Sequence, residues 1–110
     1  MGEKVTNVVF AGLGGQGVLK ASDILAEAVF RCGFDVKKSE IHGMSQRGGS
    51  VSSDVRFGEE VFSPMVPKGQ ADFLVVLAAE QIETNQAVLK PGGTLIAPDA
   101  VSEEKLPHPR

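Results

Sequence analysis

Val8-Val9-Phe10-Ala11-Gly12-Leu13-Gly14-Gly15-Gln16-Gly17-Val18 decides the reading of this chain. A continuous apolar run leads into a cluster of glycines, and an amphipathic segment follows at once. The pattern predicts a strand over 5–11, a tight glycine turn, and a helix over 16–32. Gly12, Gly14 and Gly17 match the G-x-G-x-x-G spacing of a phosphate-binding βα turn. In such a turn the first glycine permits the sharp exit from the strand. The second lets a ligand approach the backbone, and the third lets helix and strand pack closely. Unpaired N–H groups and the helix dipole then favour an anion at the helix start. The same glycines also suit a tight turn that holds nothing, and the spacing alone leaves both readings open.

Working outward, the helical stripe is Val18, Leu19, Ala21, Ile24, Leu25, Ala28 and Val29, with Lys20, Asp23, Glu27 and Arg31 mainly on the other side. Gly33 is placed as the C-terminal cap, and Cys32 as a small buried apolar group. A second strand is expected over 34–37. A dinucleotide site places an acid at the end of that strand, but Lys37 and Lys38 stand there. They read as a solvated strand end or as partners of a 2′-phosphate.

The stretch 39–50, Ser-Glu-Ile-His-Gly-Met-Ser-Gln-Arg-Gly-Gly-Ser, reads as a loop rich in amides and hydroxyls, with one guanidinium. Arg47 is its natural bidentate anion clamp, and His42 a possible acid or base. A polar surface loop held by its own hydrogen bonds is the competing reading. The alternation over 51–57 predicts a half-exposed strand, returning over 61–63 as the second arm of an antiparallel hairpin that Pro64 and Pro67 end. Asp54, Arg56, Glu59 and Glu60 are read as solvated. A central strand over 71–77, a helix over 80–89, a stop at Lys90-Pro91-Gly92-Gly93 and a strand over 94–97 complete a βαβ unit. The fold class expected is α/β, a Rossmann-like, mostly parallel sheet with an inserted antiparallel hairpin. With so few helices, one sheet face is left undercovered.

Composition narrows the function classes. The 110 residues are 42% hydrophobic and 23% charged, ordinary for one small globular domain. With 11 Lys+Arg against 14 Asp+Glu the net charge is −3, and no basic excess points to nucleic acid. No apolar run approaches the roughly 20 residues that span a bilayer. A single cysteine, Cys32, excludes an internal disulfide and an iron–sulfur cluster held by this chain's own thiolates. Cytoplasm is the expected compartment. No metal-ligand cluster or nucleophile–base pair stands out.

Three stretches carry a family resemblance: Gly12 to Val18, Ala21-Ser22-Asp23-Ile24-Leu25-Ala26-Glu27, and Ser39 to Val51. On these the chain resembles the gamma subunit or domain of 2-oxoacid:ferredoxin oxidoreductases, and within them the small subunit of the indolepyruvate-oxidising branch. The resemblance implies that residues 1–110 form a single, incomplete gamma-type domain. It implies oxidative decarboxylation of a 2-oxoacid by a complex in which this chain supplies no catalytic residue. Thiamine diphosphate and iron–sulfur clusters are expected in partner subunits, and coenzyme A at the interface. The expected partners are the large catalytic subunit and, through it, ferredoxin. Ligand-binding or interface residues are expected at Gly12, Gly14, Gly15, Gln16, Gly17, His42, Ser45, Gln46, Arg47, Gly48, Gly49 and Ser50. The competing classes are a stand-alone nucleotide-binding enzyme, either an NAD(P) or flavin reductase or an adenylating enzyme, and a pure interaction module.

Overall fold

The computed structural model describes residues 4–14, 17–42 and 49–97. In chain order the elements are β1 (Val5–Leu13), α1 (Val18–Arg31), β2 (Asp35–His42), β3 (Ser50–Gly58), β4 (Ala71–Val76), the helical turn α2 (Ile82–Asn85) and β5 (Leu89–Ile96). One five-stranded sheet has the order β2-β3-β1-β4-β5. β1, β4 and β5 pair in parallel, while β3 runs antiparallel to both β1 and β2. Four strands therefore share one direction and β3 alone is reversed. The expected mostly parallel α/β sheet with an antiparallel hairpin is what forms.

β1 is central because it is apolar on both faces, as a strand covered on both sides must be. Val8 and Phe10 pack with Val18 of α1 and Val55 of β3 on one face. Val9 packs with Val66, Ala71, Leu74 and Val76 on the other. Helix α1 ends in a Schellman motif. The N–H of Gly33, at φ 98°, donates to the Phe30 carbonyl at 2.9 Å, and that of Phe34 to the Val29 carbonyl at 3.2 Å. The Phe34 ring then meets Phe57 edge-on at 5.6 Å, which fixes the entry into β2. Cys32, expected to be buried, is exposed at this cap.

The hairpin differs from the sequence expectation in its arms. Its strands are β2 and β3, so residues 39–42, read as loop, extend β2, and 61–63 form no strand. Side chains hold the segment after β3 in place of a ladder. Asp35 Oδ2 accepts from the Val61 N–H at 2.8 Å, and Asp54 Oδ2 from the Val66 N–H at 2.9 Å. Arg56 donates to Asn7 Oδ1 at 2.8 Å and to the Ser63 carbonyl at 2.9 Å. Asp54 is thus buried rather than solvated, and burial pushes its carboxyl above its ordinary value against the pull of the Val66 N–H and Arg56. Lys38 faces α1 and pairs with Asp23 and Glu40, while Lys37 pairs with Asp35. Both lysines have carboxylate partners, Lys37 at the surface and Lys38 half-buried against α1.

The second helix is shorter than expected. A 3₁₀ turn, Ala79–Gln81, runs into α2 and a second 3₁₀ turn, Gln86–Val88. β5 begins at Leu89, opposite Ala71, and the next aligned pair is Phe73 with Thr94. Lys90 to Gly93 bulge between those pairs, so the expected stop lies inside a strand.

Candidate functional site

β1 leads through α1 to β2 on one side of the sheet, and β4 leads through α2 to β5 on the other. The chain thus winds away from the β1/β4 pair in two directions. Such a switch point opens a crevice at the carboxyl ends of the strands, where α/β sheets bind ligands. At that end of β1 lies the glycine turn.

β1 continues further than the sequence pattern suggested. Gly12 and Leu13 are still in the sheet, paired with Val51 and Ser50. Because β3 is reversed, its amino end lies beside the carboxyl end of β1. β2 brings His42 opposite Val51 in the same row, so His42, Val51 and Gly12 lie side by side across three strands. The turn and the β2–β3 connection therefore share one edge, and they touch: the Gly14 N–H donates to the Gly49 carbonyl at 2.9 Å. A Cβ on Gly14 would sit 3.6 Å from that oxygen, an ordinary contact. Of the expected site residues, Gly12, Gly14, Gly17, His42, Gly49 and Ser50 are brought to this edge. Gly15, Gln16, Ser45, Gln46, Arg47 and Gly48 lie outside the described residues.

Gly17 caps α1, but not for the reason the motif suggests. A Cβ there would meet nothing within 4 Å, so close packing does not demand glycine. Its φ of 87° does, being left-handed. Gly17→Ala is expected to cost about 1 kcal/mol of stability through this backbone alone, read as a shift in urea midpoint; a shift indistinguishable from zero contradicts the cap. The first turn of α1 holds no acid and carries Lys20. Leu13, Gly14, Gly17, Val18, Lys20 and Val51 line a cleft of about 150 Å³. That is below the roughly 300–1,000 Å³ that encloses a small ligand.

The end of β4 was missed by sequence reasoning. The Leu77 N–H donates to the Ala11 carbonyl at 2.8 Å, and the Ala79–Gln81 turn packs against β1. The signal available was the apolar continuity of 71–77, which marks a central strand whose carboxyl end must reach the same edge as that of β1.

Known proteins show the same framework. A family model described as pyruvate ferredoxin/flavodoxin oxidoreductase matches residues 7–110. The chain is 49% identical over 92 residues to indolepyruvate oxidoreductase subunit IorB of Thermococcus kodakarensis, a match covering 82% of this chain and 45% of that one. It is 35% identical over 99 residues to 2-oxoglutarate synthase subunit KorC of Methanothermobacter marburgensis, covering 87% and 52%. The gamma subunit of a keto/oxoacid ferredoxin oxidoreductase from Geobacter sulfurreducens superposes with a TM-score of 0.69 at 30% identity, covering 86% of this chain and 50% of that one. A 2-oxoglutarate:ferredoxin oxidoreductase from Magnetococcus marinus, solved with 2-oxoglutarate, coenzyme A and succinyl-CoA bound, superposes with a TM-score of 0.74 at 25% identity, covering 87% of this chain and 16% of that one. The chain spans about half the length of the curated subunits it matches. With its glycine turn and hairpin meeting at one sheet edge, the chain belongs to the pyruvate ferredoxin/flavodoxin oxidoreductase family.

Proposed function

We propose that this chain acts as a non-catalytic component of a thiamine- and iron–sulfur-dependent 2-oxoacid:ferredoxin oxidoreductase, with indolepyruvate or another arylpyruvate as substrate. Its relatives' names support the reaction class, and the IorB relatives favour the aryl substrate. Thiamine diphosphate, held by a partner subunit, would supply the electron sink for decarboxylation, and iron–sulfur clusters of the partner would pass the electrons to ferredoxin. A cytoplasmic location and iron–sulfur clusters held by partner subunits belong to the same proposal.

The observation that carries a role for this chain is the Gly14 N–H bond to the Gly49 carbonyl. It joins the two stretches that resemble the family most at one sheet edge beside a switch point, and no acid stands in the sequence between Glu40 and Asp54. We assign that edge to coenzyme A or to the catalytic subunit, one wall of a site completed by the partner. Gly15, Gln16, Ser45, Gln46, Arg47 and Gly48 belong to the same two loops by sequence, and Arg47 is assigned the anion contact.

Co-expression with a large catalytic subunit of the family, through a tag on this chain, tests the reading. The expected result is co-purification of a protein with bound thiamine diphosphate, iron–sulfur absorbance and 2-oxoacid-dependent dye reduction. A folded chain that retains free nucleotide and no large subunit would overturn it in favour of a nucleotide-binding enzyme. In the active complex, Arg47→Ala is expected to raise the KM for coenzyme A about ten- to hundredfold, the worth of one charge-assisted phosphate contact. Unchanged coenzyme A kinetics with normal assembly would remove Arg47 from the site.

A further inference from the structure

β2 ends the sheet on one side, with β3 as its neighbour. Its outward N–H and C=O groups bond to no other backbone among the described residues. Such an edge is a template for another strand, and proteins guard theirs with proline, bulges, short length or unbalanced charge. β2 is eight residues long, holds no proline, and pairs with β3 from Asp35 to His42 without a bulge. Its lysines do not act as a guard, since Asp35 and Glu40 balance Lys37 and Lys38. Apolar side chains flank it. Phe30 is 68% exposed beside Val36 on the α1 side, and Ile41, 47% exposed, shares a cleft with Met65, 51% exposed, on the other.

The order of the charges selects the strand that fits. Two copies of β2 related by a two-fold axis run antiparallel, and residues opposite each other must point to the same face. The axis therefore passes through a residue rather than between two. Centred on Lys37 or Lys38 it sets lysine on lysine, and centred on Glu40 it sets glutamate on glutamate. Centring further out leaves only a stub of ladder. Centred on Ser39 it sets Ser39 on Ser39, and each Lys38 on the Glu40 of the second copy. Opposite charges directly across a strand pair stabilise it, and like charges destabilise it. Lys38 donates to Asp23 and to its own Glu40, and the third N–H of its ammonium remains for the second copy. Residues 36–42 then pair, a ladder of about 24 Å at about 3.4 Å per residue. The helices do not obstruct it. α1 lies chiefly over β3, one strand in from the edge, which puts the two copies of α1 about 14 Å apart, beyond the roughly 8–10 Å of packed helices.

We propose that the free edge of β2 pairs with β2 of a second copy of this chain, in the register centred on Ser39, to make one continuous sheet. The carboxyl ends of the two β1 strands lie at opposite ends of that sheet, so the two glycine turns do not compete for one partner. The test uses the chain by itself and is independent of the catalytic reading. Sedimentation equilibrium is expected to show a dimer. Glu40→Lys, which sets lysine against lysine on both sides of the axis, is expected to raise its Kd about tenfold. Ser39→Cys, made together with Cys32→Ser, is expected to form an intermolecular disulfide on mild oxidation. Residues facing each other across an antiparallel pair lie about 4.5–5.5 Å apart at Cα, within disulfide reach. Lys37→Cys in the same background is expected not to cross-link, since its two copies lie about 14 Å apart along the ladder. A chain that is monomeric up to about 1 mM and that Ser39→Cys does not cross-link would overturn the proposal. Equal cross-linking at the two positions would overturn it too, and a dimer that Glu40→Lys leaves unchanged would overturn it in favour of another face. A monomeric chain whose Glu40→Lys variant no longer holds the catalytic subunit would overturn it in favour of a strand from that subunit.

Discussion

Leu74→Ala is expected to cost about 3–5 kcal/mol, among the larger losses a single core truncation produces. Leu74 is fully buried in the middle of β4, where Val9, Val66, Ala71 and Val76 close round it and Ile82, Val88 and Leu89 pack behind. Parallel neighbours on both sides of β4 hold the backbone rigidly, so the cavity has little room to collapse. A domain of this size holds on the order of 5–15 kcal/mol in all, so the variant falls near the edge of folding. Urea unfolding measures the loss. Phe73 is the internal control: it points to the opposite face and is 38% exposed in the groove beside α1. Phe73→Ala in this chain is expected to cost much less. Equal losses at the two positions would show that β4 is not turned as described.

Gly58→Ala carries the second large effect, for a steric reason. Gly58 ends β3, between Val5 of β1 and Asp35 of β2. A Cβ placed there would lie 2.4 Å from the Lys4 carbonyl oxygen and 3.2 Å from the Val5 Cα. Both obstacles are backbone, so no rotamer change relieves the overlap, and β1 must pull away from β3 at its first pair. The expected cost is about 3 kcal/mol, at the upper end of ordinary overpacking. Amide exchange should report it locally, with protection lost first at the Val5 end of β1. A stability within about 0.5 kcal/mol of wild type, the range of an ordinary surface substitution, would contradict the close approach.

Those two positions mark what the sequence made legible and what it did not. The apolar continuity of 8–10 and 71–77 placed β1 and β4 correctly, because a central strand carries apolar side chains on both faces even where, as at Phe73, one of them is exposed. The α1 boundaries followed from the stripe and from Gly33. The hairpin arms were misassigned because Lys38, Ser39 and Glu40, just past the expected end of the second strand at Lys37, carry no strand pattern. Lys38 lies against α1 only because Asp23 and Glu40 neutralise it, a tertiary arrangement that no local rule contains. Residues 61–63 looked like a strand, yet Asp35, Asp54 and Arg56 hold 61–66 by side chains from 7 or more positions away. The glycine turn was found, but its third glycine serves backbone conformation rather than close packing. That the turn and the 39–50 stretch share an edge was not derivable from either alone; it follows from the reversal of β3.

That reversal has a mechanical consequence. The amide from Gly14 to the Gly49 carbonyl adds one rung beyond the Leu13–Ser50 pair, so the last residues of β1 and the first of β3 are fastened past the end of the ladder. A substitution that breaks this rung is felt on both strands at once.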